Sequence, residues 1–281
     1  MLPQNEGVET MAKMKVALLA GLAACAVIGL GAPVRAADAP WPPQQKGFWP
    51  LGALAKENLA KPRPKPAFDL TGTWMIQPEA KTGGVTVFLP RPKLKPEAQK
   101  LFEAGQKANA EGKAYRDDTG ACFPAGMPKF MNRVWPIQMM QYPTMIVMIL
   151  ELNNQIRWIH LDGRGHADPE VTPLTYNGDS IGRWEGDTLV IDTTEFEAAK
   201  HWVETGVPVS DQLHIVERIR MVDGGKELNV TLTMTDPVNW EGEWVNEKRY
   251  RRVDDQDIAE VSCLPDLNGH LAATQAEHNV R

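Results

Sequence analysis

From Val134 to Val253 the chain is a succession of short strand-like runs separated by turn residues, and this pattern leaves few folds open. The runs cover 134–141, 144–152, 155–161, 180–184, 188–194, 212–222, 226–235 and 243–253. Asn153-Asn154, Glu185-Gly186-Asp187 and Asp223-Gly224-Gly225 supply hairpin turns between them. An earlier strand-like run opens at Asp69-Leu70-Thr71-Gly72-Thr73-Trp74. Sequential strands with short connections predict an antiparallel meander. Six or more such strands must hide their edges, so a mainly β fold closed into a barrel is expected. One helix is predicted over 96–112, with Pro96 at its start, Glu97 in its first turn and Ala98, Leu101, Phe102 and Ala108 on one side. Run 144–152 is apolar on both faces, which predicts a strand covered on both sides, with this helix as the candidate cover. No repeat at a fixed period is present, which sets a propeller aside.

Residues 11–36 read as a secretory leader: Lys13 and Lys15, an apolar run from Val16 to Gly31, then Val34-Arg35-Ala36 at the cleavage position. Glu6 and Glu9 do not suit a leader's basic start, so Met11 is the expected initiator. Leu22-Ala23-Ala24-Cys25 offers a competing lipoprotein box, but the apolar run continues through Ala26-Val27-Ile28, where a lipoprotein turns polar. The expectation is a periplasmic or secreted protein with no transmembrane segment in its mature chain. Domains follow as a leader (1–36), a Pro-rich extended lead-in (37–66) packed on the surface through Trp41, Phe48 and Trp49, and a barrel domain (67–281). Cys122 and Cys263 remain after cleavage, and an oxidising compartment pairs them in one disulfide between the C-terminal tail and a mid-chain loop. A reactive thiol pair is the alternative, without C-x-x-C spacing to support it. The chain is 43% hydrophobic and 23% charged, which excludes a disordered tail protein. A net charge of -6 with no basic patch excludes a nucleic-acid footprint.

Glu217 is the sharpest candidate for chemistry. It shares a strand face with Leu213, Ile215, Ile219 and Met221, where lost hydration raises a carboxyl pKa towards that of a general acid or base. The alternative is a pairing with Arg157, Arg218 or a strand neighbour that holds register. The segment His160-Leu161-Asp162-Gly163-Arg164-Gly165-His166 concentrates further polar groups at a strand end. It reads as a cluster with His as proton carrier, as a metal site without an established ligand spacing, or as a solvated hairpin corner. Ser210-Asp211-Gln212-Leu213-His214 lacks a nucleophile elbow and does not carry a hydrolase reading. Six of the twelve methionines lie between 127 and 148. Alternation, separating Met139 and Met145 from Met140 and Met148, favours core filling over a copper site. Trp74, Trp158, Trp184, Trp240 and Trp244 lie in or beside strands, either lining an aromatic-accepting cavity or filling the barrel.

The segment Ile181-Gly182-Arg183-Trp184-Glu185-Gly186-Asp187-Thr188-Leu189-Val190-Ile191-Asp192-Thr193-Thr194 resembles a widespread family of exported bacterial proteins of undetermined function. Cys122 to Met127, Asp162-Gly163-Arg164 with His166, Ser210-Asp211 with Leu213-His214, Glu217-Arg218 and Asp236-Pro237 agree with that family's pattern, from about residue 67 to 265. Gly72-Thr73-Trp74 is similar to the G-x-W opening of lipocalin-like barrels, which mostly bind small hydrophobic molecules and in a minority are hydratases, isomerases or decarboxylases. The combined expectation is an exported lipocalin-like barrel holding a small, largely apolar, aromatic or terpenoid-like molecule, with no cofactor or metal called for. In a lyase, hydratase or isomerase version, Glu217 works with His160 or His166, beside Asp162, while Arg157 or Arg164 orients an oxyanion. Trp158, Trp184 and His214 complete the expected ligand site. A non-catalytic carrier or an envelope interaction module are the alternatives.

Overall fold

The computed structural model describes residues 40–78, 88–113, 119 and 121–264. The expected leader, Cys25 and the first lead-in residues lie outside the described residues. The strands are β1 (Gly72–Ile76), β2 (Ile137–Gln141), β3 (Met145–Leu150), β4 (Gln155–His160), β5 (Asp179–Glu185), β6 (Thr188–Thr194), β7 (Trp202–Glu204), β8 (Val207–Pro208), β9 (His214–Val222), β10 (Glu227–Thr235) and β11 (Trp244–Val253). Nine of them close into a barrel in the order β1-β11-β10-β9-β6-β5-β4-β3-β2, while β7 and β8 form a separate two-stranded sheet. The protein is therefore mainly β with a closed barrel.

A ring of strands that alternate in direction closes only with an even number. Nine strands need an odd number of parallel contacts, and the structure has one: β4 runs parallel to β5, against eight antiparallel barrel pairs. The meander is thus interrupted once, because parallel neighbours require a crossover, here residues 161–178. The seam is short, with only Ile159↔Ser180 and His160↔Ile181 in register. The tight turns behave as read: Asn153 and Asn154 have φ of 59° and 44°, and Asp223-Gly224-Gly225 turns at 49°, 62° and 96°.

Inward side chains fill the barrel. Trp74, Trp240, Trp244, Leu228, Val230, Leu232, Ile215 and Ile219 are buried in one continuous core with Met127, Met131, Met139 and Met148. The methionine faces differ from the expected division, because the β2–β3 hairpin pairs Met139 with Met148. Met145 joins Val147 and Ala53 in a small cluster on the outer wall.

That cluster corrects a second expectation. The outer face of β3 is covered by the lead-in, not by the helix. The helix, α2 (Pro96–Ala110), instead lies against the β7–β8 turn. A Cβ on Gly206 would sit 2.7 Å from the Leu101 carbonyl oxygen and 2.8 Å from Phe102 Cα, so only glycine allows this approach. The lead-in is extended around its prolines but forms one helical turn, α1 (Lys56–Leu59), in the proline-free stretch between Pro50 and Pro62. It lies along the crossover: the backbone donates from Gln45 N to His166 O (2.8 Å) and from Gly47 N to Asp168 Oδ2 (2.8 Å), and the Asn58 side chain donates from Nδ2 to Asp162 Oδ2 (2.8 Å). Its aromatics cap cations, with Trp41 under Arg183 and Trp49 under Arg164.

Cys122 and Cys263 are bridged, at a sequence separation of 141. Closing so long a loop restricts the unfolded chain, and the double substitution Cys122→Ser/Cys263→Ser is expected to lower stability by about 2–4 kcal/mol. Guanidinium denaturation of the oxidised protein and the variant checks this; equal midpoints would show that the bridge adds nothing.

Candidate functional site

Alternation divides the expected site residues between the two sides of the barrel wall. Inside, Arg157 (β4) and Glu217 (β9) are fully buried and form a bidentate pair, Nη1 to Oε1 at 3.1 Å and Nη2 to Oε2. Arg157 also donates to Ser180 Oγ on β5 (3.2 Å from Nε) and to Thr193 Oγ1 on β6 (3.0 Å from Nη2). Ser180 and Thr193 are 3.0 Å apart. One guanidinium therefore ties four consecutive strands of the wall together, including both strands of the parallel seam. Nearby Tyr250 donates to the Met131 carbonyl, and burial, then the Glu217 charge, pushes its phenol pKa up.

Outside, the crossover brings His166 down between two carboxylates. Its Nδ1 lies 2.8 Å from Asp179 Oδ2 (β5), and its Nε2 2.8 Å from Asp192 Oδ2 (β6). His214 on β9 reaches the other oxygen of Asp192 at 2.6 Å. The result is an unbroken chain Asp179–His166–Asp192–His214. Burial alone would depress the His166 pKa, but its two carboxylate partners outweigh it and raise the pKa to about 9. Burial opposes ionisation of Asp192 too, yet the His166 and His214 hydrogen bonds lower it to about 2. His166 is thus an imidazolium donating from both nitrogens.

Beside this chain, a cleft of about 590 Å³ opens on the outer wall over β4. Trp158, Ile156, Trp49 and Tyr176 supply its aromatic and apolar wall, and His160, Asp179 and Glu195 its ionisable groups. No Lys or Arg is among the residues lining it. Trp158 stands on a barrel strand yet is 49% exposed, because its face meets the cleft. Burial, then repulsion from Arg164, lowers the His160 pKa to about 4, so the ring is neutral. Three wall atoms are buried without a hydrogen-bond partner: Trp49 Nε1, His160 Nδ1 and Asn177 Oδ1.

The expected acid–base pairing of Glu217 with His160 or His166 does not form. Glu217 and Arg157 face the interior; His160, Asp162, Arg164, His166 and His214 lie outside. The reason is parity: His160 is three residues from Arg157, and His214 three from Glu217, and odd spacing reverses the face of a strand. For Glu217 the structure shows the pairing with Arg157. Asp162 and Arg164 neutralise each other (2.6 Å) beneath the lead-in; burial opposes the Asp162 charge, but the Arg164 and Asn58 hydrogen bonds hold its pKa low. Trp184 turns inward at the barrel end, edge-on to Phe68 at 4.8 Å. Among the described residues no three His, Cys, Asp or Glu side chains are placed to hold one metal ion.

Asp179 and Asp192 were missed by the sequence reading, although Asp192 carries a signal: it stands alone among Val190, Ile191 and threonines in a strand. Asp179 carries none before the crossover is known.

Two predictions follow from these networks. Glu217→Ala leaves a buried guanidinium unpaired and is expected to cost about 3–5 kcal/mol, much of it regained in Arg157→Met/Glu217→Leu; chemical denaturation checks both. For His166 the folded pKa of about 9 exceeds the ordinary 6.5, so its contribution is complete below pH 6.5 and lost as pH rises through about 9. Relative to His166→Asn, the parent protein should lose on the order of 2 kcal/mol between about pH 7 and about pH 10, measured by denaturation at each pH. Compared with protein-family models and with curated proteins, the sequence finds no match, and what the site does is read from its own geometry.

Proposed function

We propose that the protein is exported and holds a small molecule with an aromatic, largely apolar body and an uncharged polar group, in the cleft over β4. The observation that carries this is the exposed Trp158 ring facing a cleft of about 590 Å³ whose lining adds polar side chains such as His160, Thr172 and Asn177. Pockets of roughly 300–1,000 Å³ with a few polar groups in an apolar lining suit small ligands. An anion is disfavoured because no Lys or Arg lines the cleft, and a cation gains little from Asp179, whose charge the His166 imidazolium already meets, so a neutral ligand is the reading. Carriage without turnover is the reading: Glu217 is engaged by Arg157 inside the wall, and a neutral His160 of pKa about 4 takes up a proton poorly near neutrality. Export is supported by the disulfide, since such bonds persist in oxidising compartments, and no helix of the described residues is long and apolar enough to cross a membrane.

N-phenyl-1-naphthylamine, a neutral aromatic fluorophore, tests the cleft. The folded protein should enhance its emission on binding, and Trp158→Ala should weaken that affinity at least about tenfold, or roughly 1.4 kcal/mol. Unchanged affinity in Trp158→Ala overturns the assignment.

A further inference from the structure

A second hollow lies at the end of the barrel next to the Pro-rich lead-in, with the opposite electrostatic character. Its volume is about 970 Å³. Phe68, Leu161, Tyr142 and Trp184 line it with apolar surface, and Tyr142 is 39% exposed. Four basic residues also line it, Lys61, Arg63, Lys65 and Arg183, against a single acid, Asp69.

The charge balance is uneven. Arg183 is neutralised by Glu185 at 2.8 Å. Arg63 donates to the Asn58 side-chain and backbone oxygens and to the Lys61 carbonyl, and none of these is a carboxylate. Lys61 and Lys65 have no ion-pair partner among the described residues. Asp69 is already engaged, its Oδ1 accepting from Thr71 N at 2.8 Å, and the Thr71 hydrogen bonds hold its pKa low. Three cations without an ion-pair partner thus stand against one ionised carboxylate, and the apolar hollow keeps an excess of positive charge.

A lysine cluster on a convex surface is ordinarily a solvated face. Two features separate this one from that case. The cations border a concavity floored by aromatic rings. They also alternate with Pro62, Pro64 and Pro66, whose fixed φ holds the segment extended and reduces the entropy lost when a ligand orders it.

We propose that this hollow binds a small apolar monoanion, a carboxylate or sulfonate on an aromatic or aliphatic body. The body would lie on Phe68, Tyr142 and Trp184, and the head would be met by Lys61, Arg63 and Lys65. The site is separate from the cleft over β4 and takes an anion where that cleft takes a neutral molecule.

The test uses two fluorophores with one aromatic skeleton: 8-anilino-1-naphthalenesulfonate, which is anionic, and neutral N-phenyl-1-naphthylamine. Both are titrated against the folded parent, Lys61→Glu/Lys65→Glu and Trp158→Ala, with circular dichroism confirming each fold. The charge reversal alters only exposed side chains. It is expected to weaken the sulfonate at least about fivefold and leave the neutral probe unchanged, and added salt should weaken the sulfonate in the parent but not in the variant. Tyr142→Ala should weaken the sulfonate as well. The proposal is overturned if the sulfonate does not bind, if the charge reversal leaves its affinity unchanged, if both probes lose equally, or if Trp158→Ala rather than the lysine variant removes it. Failure of the neutral probe alone overturns the β4 cleft and leaves this site standing.

Discussion

The register of this barrel at its one parallel seam is fixed by the contact between Arg157 and Glu217. Nine strands force one parallel seam, and that seam is held by two register pairs between β4 and β5. A guanidinium presents donors in several in-plane directions at once. From β4 it reaches Ser180 on β5, Thr193 on β6 and Glu217 on β9. A slip of one residue in any of these strands would turn its partner to the outer face. The pair therefore specifies register where backbone pairing is scarcest, while the desolvation of two charges limits what it adds in net stability.

The outer side of the same wall is held by a second ionic network of similar reach. His166 comes from the crossover and grips Asp179 on β5 and Asp192 on β6, and His214 adds β9. The crossover exists because the strand number is odd, so the topological irregularity supplies the loop that clamps it. The same loop, with the lead-in laid against it, walls the cleft over β4. Fold closure and the candidate site thus share one set of residues, in keeping with function being carried on loops placed by a rigid scaffold.

Much of the fold was legible in the sequence, because period-two alternation and turn residues are local signals. Each run expected from Val134 onward corresponds to a barrel strand, and the Asn153-Asn154 and Asp223-Gly224-Gly225 turns sit where read. The Cys122–Cys263 bridge followed from compartment and count. The parallel seam was not legible, since strand parity is a property of the closed ring and not of any segment. The outer cover of β3 by Ala53 was missed because Pro-rich segments give no periodicity from which to read a buried face. At the site, the separation of Glu217 from His214, and of Arg157 from His160, was present in their odd spacing. The expectation of one convergent pocket overrode that signal. The tryptophans divided as two readings held open together: Trp74, Trp240 and Trp244 fill the core, while Trp158 and Trp184 border the hollows.

The disulfide sets how the molecule transmits tension. Tension applied beyond Cys263 enters the fold at Cys122, in the segment between α2 and β2, and bypasses β11. Without the bridge the same pull would break the hydrogen bonds of Ala259 and Val261 to Glu151 and Asn154, and then peel β11 from β1 and β10 one ladder bond at a time. With it, the terminal strand is shielded from tension and the barrel is loaded through a covalent anchor.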